Sequence, residues 1–146
     1  MIKRWILIMR KKELWTLYQQ TCFVVSKKTT LSDDFCIITA CNPYSANLSP
    51  ELDAARNTKL VQRLQQLHLD YQPLIGCSED LAHQEASFAI QCSVAQGKTL
   101  SCEFAQNAFY AVLDGQLWLQ PALLDEPAPV HLGPFIQRII SDSDTA

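Results

Sequence analysis

The spacing of hydrophobic and polar residues predicts a chain in which strands and helices alternate. Alternation with a period of two, or a short run of β-branched and aromatic residues, is typical of a strand. Such patterns occur in six segments: 21–26, 35–41, 71–76, 85–93 and the two halves of 108–120. A helical spacing begins after Ser49 and extends to about Leu69, and shorter helical patterns cover residues 13–20 and 98–107.

The order of these elements predicts the fold class. After the short helix at 13–20 the order is β-β-α-β-β-α-β-β, and Asp114-Gly115 marks a hairpin between the last two strands. The central βαββαβ part is the order of the split βαβ, or ferredoxin-like, arrangement. We therefore predict an α+β fold: a two-layer sandwich with a ferredoxin-like core, extra edge strands and a largely antiparallel sheet.

The length of the chain and the distribution of its charges suggest how it is organised. The 146 residues fit one domain, which we place at 13–120, after a basic extension (1–12) and before a proline-rich tail (121–146). The extension carries a charge of +5, which leaves −8 for the rest of a chain whose net charge is −3. An acidic domain is a poor partner for a phosphate backbone, so we expect no nucleic-acid partner.

The sequence also lacks the patterns typical of export, membrane insertion and metal binding. The N-terminal apolar run WILIM is too short for a secretory signal or a transmembrane segment, which predicts a cytoplasmic protein. The six cysteines include no C-x-x-C pair, so we expect reduced thiols, no metal site and no cofactor.

Candidate site residues gather after the second strand. The stretch ITACNPYS (38–45) begins as an apolar run and ends in polar groups, among them Thr39, Asn42 and Ser45. Asn57 lies on the inward stripe of the long helix, because apolar residues follow it at +3, +4 and +7. Asn107 follows Leu100 by seven residues on the predicted second helix, so two amides are expected to face the interior. A buried amide must find hydrogen-bond partners, which gives either a structural network or a ligand site.

Several of these stretches resemble the small bacterial proteins of Domain-of-Unknown-Function family 3293. The resemblance is carried by ITACNPYS, RN at 56–57, EASF at 85–88 and FAQNAFY at 104–110, and it spans roughly residues 14–119. It implies no activity, substrate or cofactor. It does imply which positions belong together: Thr39, Asn42, Pro43, Ser45, Asn57, Glu85, Gln106 and Asn107.

Three functional interpretations follow, and the sequence leaves open whether the chain is an enzyme. In the first, the chain binds a small polar ligand or a protein partner through Thr39, Asn42, Ser45, Asn57, Ser87, Gln106 and Asn107. In the second, Glu85 acts as a general acid or base, which requires a partly buried carboxyl in a cleft. In the third, the polar residues only hold the loop after residue 41 in place. An exposed edge strand would also allow a homodimer.

Overall fold

The computed structural model describes residues 11–141. The first described helix, α1, occupies residues 11–18, and two further helices are α2 (Pro50–Gln66) and α3 (Val94–Glu103). Two short 3-10 turns lie at Pro43–Ser45 and Phe135–Arg138. The strands are β1 (Cys22–Val25), β2 (Phe35–Ile38), β3 (Tyr71–Cys77), β4 (Gln84–Ile90), β5 (Ala108–Leu113), β6 (Gln116–Pro121), β7 (Val130–Pro134) and β8 (Ile139–Ser141).

These strands form one sheet in the order β7-β6-β5-β2-β4-β3-β1-β8. Neighbouring strands are antiparallel except β1 and β8, which are parallel. The predicted mixed α+β class and the largely antiparallel sheet are therefore confirmed. The segment predicted as a proline-rich tail contributes β7, a 3-10 turn and β8, so it supplies both edges of the sheet.

Local signals explain where α2 begins and ends. The Ser49 hydroxyl accepts a hydrogen bond from the Leu52 amide at 3.2 Å, and Pro50 occupies the first helical position. The helix ends at Gln66, three residues before the predicted end, because His68 takes a left-handed conformation with φ 55°. Leu60 and Leu64 are fully buried and attach the helix to the sheet.

The second predicted helix is displaced by about one turn. It was expected at 98–107, but α3 runs from Val94 to Glu103. Its start is fixed by a capping box, in which Ser93 and Gln96 bond each other's backbone amides. Its end is followed by Ala105, whose φ of 58° turns the chain away. The expectation that Asn107 lies on this helix is therefore wrong, since Asn107 belongs to the connection before β5.

The sheet has a hydrophobic core on each face. Side chains of α2 and α3, such as Leu64 and Leu100, pack with Ile38 and Ile90 on the first face. Side chains at the alternate strand positions point to the second face of the sheet. There Phe23, Phe35 and Leu117 pack around Phe135. Burial on both faces explains why β2 is apolar at every position.

Candidate functional site

The loop after β2, residues 39–46, has an unusual backbone. Asn42, Tyr44 and Ser45 all have positive φ, at 49°, 56° and 60°. Each such residue other than glycine costs on the order of 1–3 kcal/mol, so the surroundings must hold the loop in this shape. The Asp53 carboxylate accepts the Asn42 amide at 2.8 Å, the Asn42 side chain accepts the Leu48 amide at 3.2 Å, and the Tyr44 amide donates to the Ala105 carbonyl at 2.7 Å.

Asn57 joins α2 to this loop and to β4. Its side-chain oxygen accepts the Ala40 amide at 2.9 Å, and its amide group donates to the Ala86 carbonyl at 2.9 Å and to the Cys41 sulfur at 3.3 Å. The Thr39 hydroxyl donates to the same Ala86 carbonyl at 2.7 Å. The inward position predicted for Asn57 is therefore confirmed, with only 7% of its surface exposed. Its partners belong to the protein itself, which indicates a structural role for this amide.

Gln106 and Arg56, which is on α2, join the loop to Phe104 at the end of α3. Gln106 donates to the Cys41 carbonyl at 3.0 Å and to the Phe104 carbonyl at 3.1 Å. The Arg56 guanidinium bridges the Ala40 carbonyl at 2.6 Å and the Phe104 carbonyl at 2.5 Å. The functional interpretation of the sequence left out Arg56, although it precedes Asn57 in the RN pair that the family resemblance marks.

The other end of the loop is bonded to α1. The Ser45 hydroxyl shares a short hydrogen bond with the Tyr18 hydroxyl and accepts one from the Asn107 amide at 2.9 Å. The Tyr110 hydroxyl donates to the Tyr18 carbonyl at 2.5 Å, and its oxygen lies within hydrogen-bond distance of the Thr21 hydroxyl, at 2.7 Å. Burial raises the pKa of Tyr110, which keeps its hydroxyl protonated as a donor. Neither tyrosine was singled out from the sequence.

Glu85 lies at the edge of a cleft of about 280 Å³ between α2 and the start of β4. The lining residues are Cys41, Leu48, Pro50, Asp53, Ala54, Asn57, Gln84, Glu85 and Ala86, and none of them is basic. Burial raises the pKa of the half-buried Glu85, and the nearby negative Asp53 raises it further, while a hydrogen bond from the Asn42 side chain acts against both. The catalytic interpretation requires Glu85 to be a partly buried carboxyl in a cleft, and its position meets this requirement.

Cys41 lines the same cleft but is a poor nucleophile. Burial raises the pKa of its thiol, and the negative charges of Asp53 and Glu85 add to this rise, although hydrogen bonds from Thr39 and Asn57 oppose it. A thiol with a raised pKa carries little thiolate at neutral pH. Its position in the wall of the cleft therefore does not indicate nucleophilic catalysis.

The residues predicted for the site fall into two groups. Asn57 and Glu85 line the cleft. The other predicted residues do not line the cleft, and their side chains bond to protein groups: Thr39, Asn42, Ser45, Ser87, Gln106 and Asn107. Ser87 is buried and donates to the Glu85 carbonyl at 3.1 Å. Asp53, which the sequence did not mark, completes the acidic side of the cleft.

Residues 11–141 contain neither a candidate metal cluster nor a helix that could span a membrane. Within this range no three or more histidine, cysteine or acidic side chains are grouped so as to hold a metal ion. The helices of the same range are all too short or too polar to cross a membrane.

Comparison with known proteins adds one finding. Residues 38–109 match the model of the family described as "Protein of unknown function (DUF3293)". This region belongs to the DUF3293 family. The matched range begins in β2 and ends in β5, so it contains Glu85, Asp53 and the loop that carries the predicted polar residues, and it confirms the resemblance seen in the sequence. Neither the curated proteins nor the solved structures gave a match.

Proposed function

We propose that this DUF3293 protein binds a small polar ligand in the cleft between α2 and β4. The observation that carries the proposal is the pair of carboxylates, Asp53 and Glu85, at a cleft without a basic lining residue. The mutual repulsion that helps raise the pKa of Glu85 would be relieved by a ligand group that donates hydrogen bonds or carries positive charge.

The lining suggests the chemistry of the ligand. Asp53 already accepts the Asn42 amide through one oxygen, so its second oxygen and the Glu85 carboxylate are the available acceptors. Leu48, Pro50 and Ala54 supply an apolar wall for a short carbon chain. A volume of about 280 Å³ lies near the lower end of the range for ligand pockets, which favours an amine or amino acid over a nucleotide.

The hydrogen-bonded loop has a supporting role in this proposal. Thr39, Asn57, Gln106 and Arg56 are occupied by protein partners, and together they fix the backbone of residues 40 and 41. A binding site requires its walls to be held by such a surrounding set of contacts. The purely structural interpretation predicts the same contacts but no ligand, so only a binding measurement separates the two.

A thermal-shift screen tests the proposal. Amines, amino acids, sugars, nucleotides and metal ions are added to the wild type, to Glu85→Gln and to Glu126→Gln. Glu126 is an exposed acid outside the cleft lining, so its variant makes the same chemical change without touching the site. We expect an amine or amino acid to raise the Tm of the wild type and of Glu126→Gln by several degrees, and to leave Glu85→Gln unchanged. A panel without any shift, or a shift that survives in Glu85→Gln, would contradict the proposal.

A second candidate function is catalysis with Glu85 as general acid or base. The specific observation in its favour is the raised pKa of Glu85, since a carboxyl whose pKa moves toward neutrality exchanges protons more readily at working pH. The ligand found in the screen is then assayed for turnover. Retained binding with lost turnover in a variant that keeps the ligand site, such as Glu85→Asp, would support the enzyme, and absence of turnover in the wild type would oppose it.

We also propose that the four central strands and the helices α2 and α3 form a ferredoxin-like core. The order β5-β2-β4-β3 of the four central strands supports a ferredoxin-like core, with β6, β7, β1 and β8 added at its edges. A cytoplasmic location and a homodimer through β7 or β8 stay predictions.

A further inference from the structure

Two of the six cysteines lie opposite each other on neighbouring strands of the sheet. Cys22 is the first residue of β1, Cys77 is the last residue of β3, and the two are direct partners in the antiparallel β1–β3 ladder. The side chains of directly opposed residues extend from the same face of a sheet. Both cysteines are free thiols in this structure, and neither lines the cleft. The ladder therefore holds two thiols side by side without a bond between them.

The backbone spacing of this pair suits a disulfide. Directly opposed residues in an antiparallel ladder have Cα atoms about 4.5 Å or about 5.5 Å apart, depending on whether the backbone groups of the pair are hydrogen-bonded. A disulfide joins Cα atoms that are roughly 4.4–6.8 Å apart, so both kinds of pair lie within its range. The Cβ atoms of opposed residues are about 4.5–5.5 Å apart, and a disulfide needs about 3.5–4.5 Å. Only a small approach of the two strands is therefore required.

The other four cysteines, all within residues 11–141, have no cysteine as a ladder partner. Cys36 is the only one of the four in a strand, and it is in register with Ile90 on one side and Ala111 on the other. The remaining three lie outside the strands: Cys41, Cys92 and Cys102. Cys22 and Cys77 are therefore the two cysteines that the sheet places opposite each other.

The position of the pair allows a small oxidant to reach it. Cys22 is partly exposed, whereas Cys77 is buried with 5% of its surface exposed. The pair is the last of only three paired positions at one end of the β1–β3 ladder, and on the other side of β1 the strand β8 pairs with residues 23–25 and not with Cys22. Few contacts hold the end of a short ladder, so it opens at a low free-energy cost. Cys22 is therefore the thiol that an oxidant meets first.

We propose that Cys22 and Cys77 form a reversible disulfide by exchange with a small disulfide such as oxidised glutathione. The Cys22 thiolate attacks one sulfur of the glutathione disulfide, the S–S bond of that molecule breaks, and one glutathione thiolate leaves. The Cys77 thiolate then attacks the Cys22 sulfur, and the second glutathione leaves as a thiolate. The two departing thiolates take up the two protons that the cysteines released. Two protein thiols are oxidised, and one glutathione disulfide is reduced to two thiols.

The fold acts on the equilibrium of this exchange more than on its rate. Burial raises the pKa of both thiols, and the negative Glu79 raises that of Cys22 further, while Arg138 acts against this rise. Little thiolate is then present at neutral pH, so the exchange is slow. Two thiols that the ladder holds side by side react as an intramolecular pair, at a higher effective concentration than in the unfolded chain. The folded protein is therefore expected to form the disulfide more readily than the unfolded protein.

Equilibration in glutathione buffers tests this expectation. The full chain is incubated at graded ratios of reduced to oxidised glutathione until no further change occurs, once folded and once in concentrated urea. The samples are quenched with acid, alkylated and digested without reductant, and the peptides are quantified by mass spectrometry. We expect a cross-linked peptide that joins Cys22 to Cys77, with an equilibrium constant at least about tenfold larger in the folded protein. Dithiothreitol should restore all six thiols.

Three variants separate the two steps of the exchange. Cys22→Ser, at a partly exposed position, should lose the cross-link. Cys102→Ser, also at a partly exposed position but without a cysteine opposite it, should form the cross-link as the wild type does. Cys77→Ala should stop at the mixed disulfide, detected as one glutathione attached to Cys22.

Four results would overturn the proposal. The first is a cross-link between other cysteines in place of the one between Cys22 and Cys77. The second is an equilibrium constant that is no larger in the folded protein than in urea. The third is a wild type that keeps glutathione on Cys22 without forming the cross-link. The fourth is a folded protein that retains all six thiols in the most oxidising buffer.

Discussion

At the scale of single residues, Asn57 is the side chain that connects most elements of the site. It is buried on α2 and bonds to the Ala40 amide, the Ala86 carbonyl and Cys41. Asn57→Ala leaves the Ala40 amide without an acceptor, so we expect the free energy of unfolding to fall by about 1–3 kcal/mol. Urea denaturation measures this change.

The neighbouring residue provides the control for that variant. Thr58 is exposed, and its hydroxyl bonds only to the Ala54 carbonyl of the same helix. Thr58→Ala should change stability by less than about 0.5 kcal/mol. Equal effects of the two variants would mean that the Asn57 contacts do not hold the loop.

Glu85 predicts a dependence of stability on pH. Its pKa is raised in the folded protein, so at intermediate pH the folded state binds more protons than the unfolded state does. Ionisation therefore costs no stability below the ordinary pKa of a glutamate. The cost grows as the pH rises through the folded-state pKa, and it is complete above it. Glu85→Gln removes the ionisation.

Urea denaturation at several pH values between about 4 and 8 measures this effect. We expect the stability of Glu85→Gln relative to the wild type to increase from the acidic end of this range to the neutral end. Glu126→Gln should run parallel to the wild type. A wild type that gains stability relative to Glu85→Gln as pH rises would show that the Glu85 charge is favourably solvated.

The sequence predicted some of these residues and not others, for a physical reason. The inward position of Asn57 follows from helical spacing, which is a local property of the chain. Arg56 bonds to carbonyl groups 16 and 48 residues away, and Tyr18 bonds to Ser45 across 27 residues. Backbone carbonyls and distant hydroxyls leave no periodic signal, so these partners became visible only in the folded chain.

At the scale of elements, α3 approaches the sheet closely at Gly97. A Cβ atom at this position would lie 2.8 Å from the Phe109 ring and 2.9 Å from the Cys36 sulfur. Glycine costs helix stability of about 1 kcal/mol relative to alanine, so an unhindered Gly97→Ala would stabilise the protein. Because both contacts lie in a packed core, we expect a net loss of about 1–3 kcal/mol instead.

Two further variants make the test of Gly97 specific. Lys98→Ala, at the adjacent exposed position, should be close to neutral. Cys36→Ala removes one of the two obstructing atoms, so Gly97→Ala should cost less in that background than in the wild type. A stabilising Gly97→Ala in the wild type would mean that α3 can move away from the sheet at no cost.

Two local sequence features explain why α3 lies about one turn before its predicted position. Ser93 and Gln96 form a capping box, which the sequence contains as S-x-x-Q and which marks the start of α3 at Val94. The apolar pair Leu100 and Phe104 placed the helix too late, because Phe104 terminates α3 and is not part of it. By comparison, α2 was placed well because its cap, its first-turn proline and its apolar stripe all agree.

At the scale of the whole molecule, the C-terminal region completes the second core. Its two strands are short, β7 ends in a proline, and β8 pairs in parallel with the distant β1. Strands of this kind have weak local patterns, so the sequence indicated a tail instead. The consequence is structural: Phe135 is 6% exposed, and its ring centroid lies 5.5 Å from that of Phe23 and 5.4 Å from that of Phe35.

Phe135→Ala tests whether this region is part of the cooperative fold. Loss of a buried phenylalanine leaves a cavity next to Phe23 and Phe35, which should lower the free energy of unfolding by about 3–5 kcal/mol. The adjacent Ile136 is 77% exposed, so Ile136→Ala should change stability by less than about 0.5 kcal/mol. Both values come from urea unfolding followed by far-UV circular dichroism. If Phe135→Ala is as mild as Ile136→Ala, then β7 and β8 are held to the sheet without contributing to its core. If the expected difference is found, the fold extends through β8 and not only to residue 120.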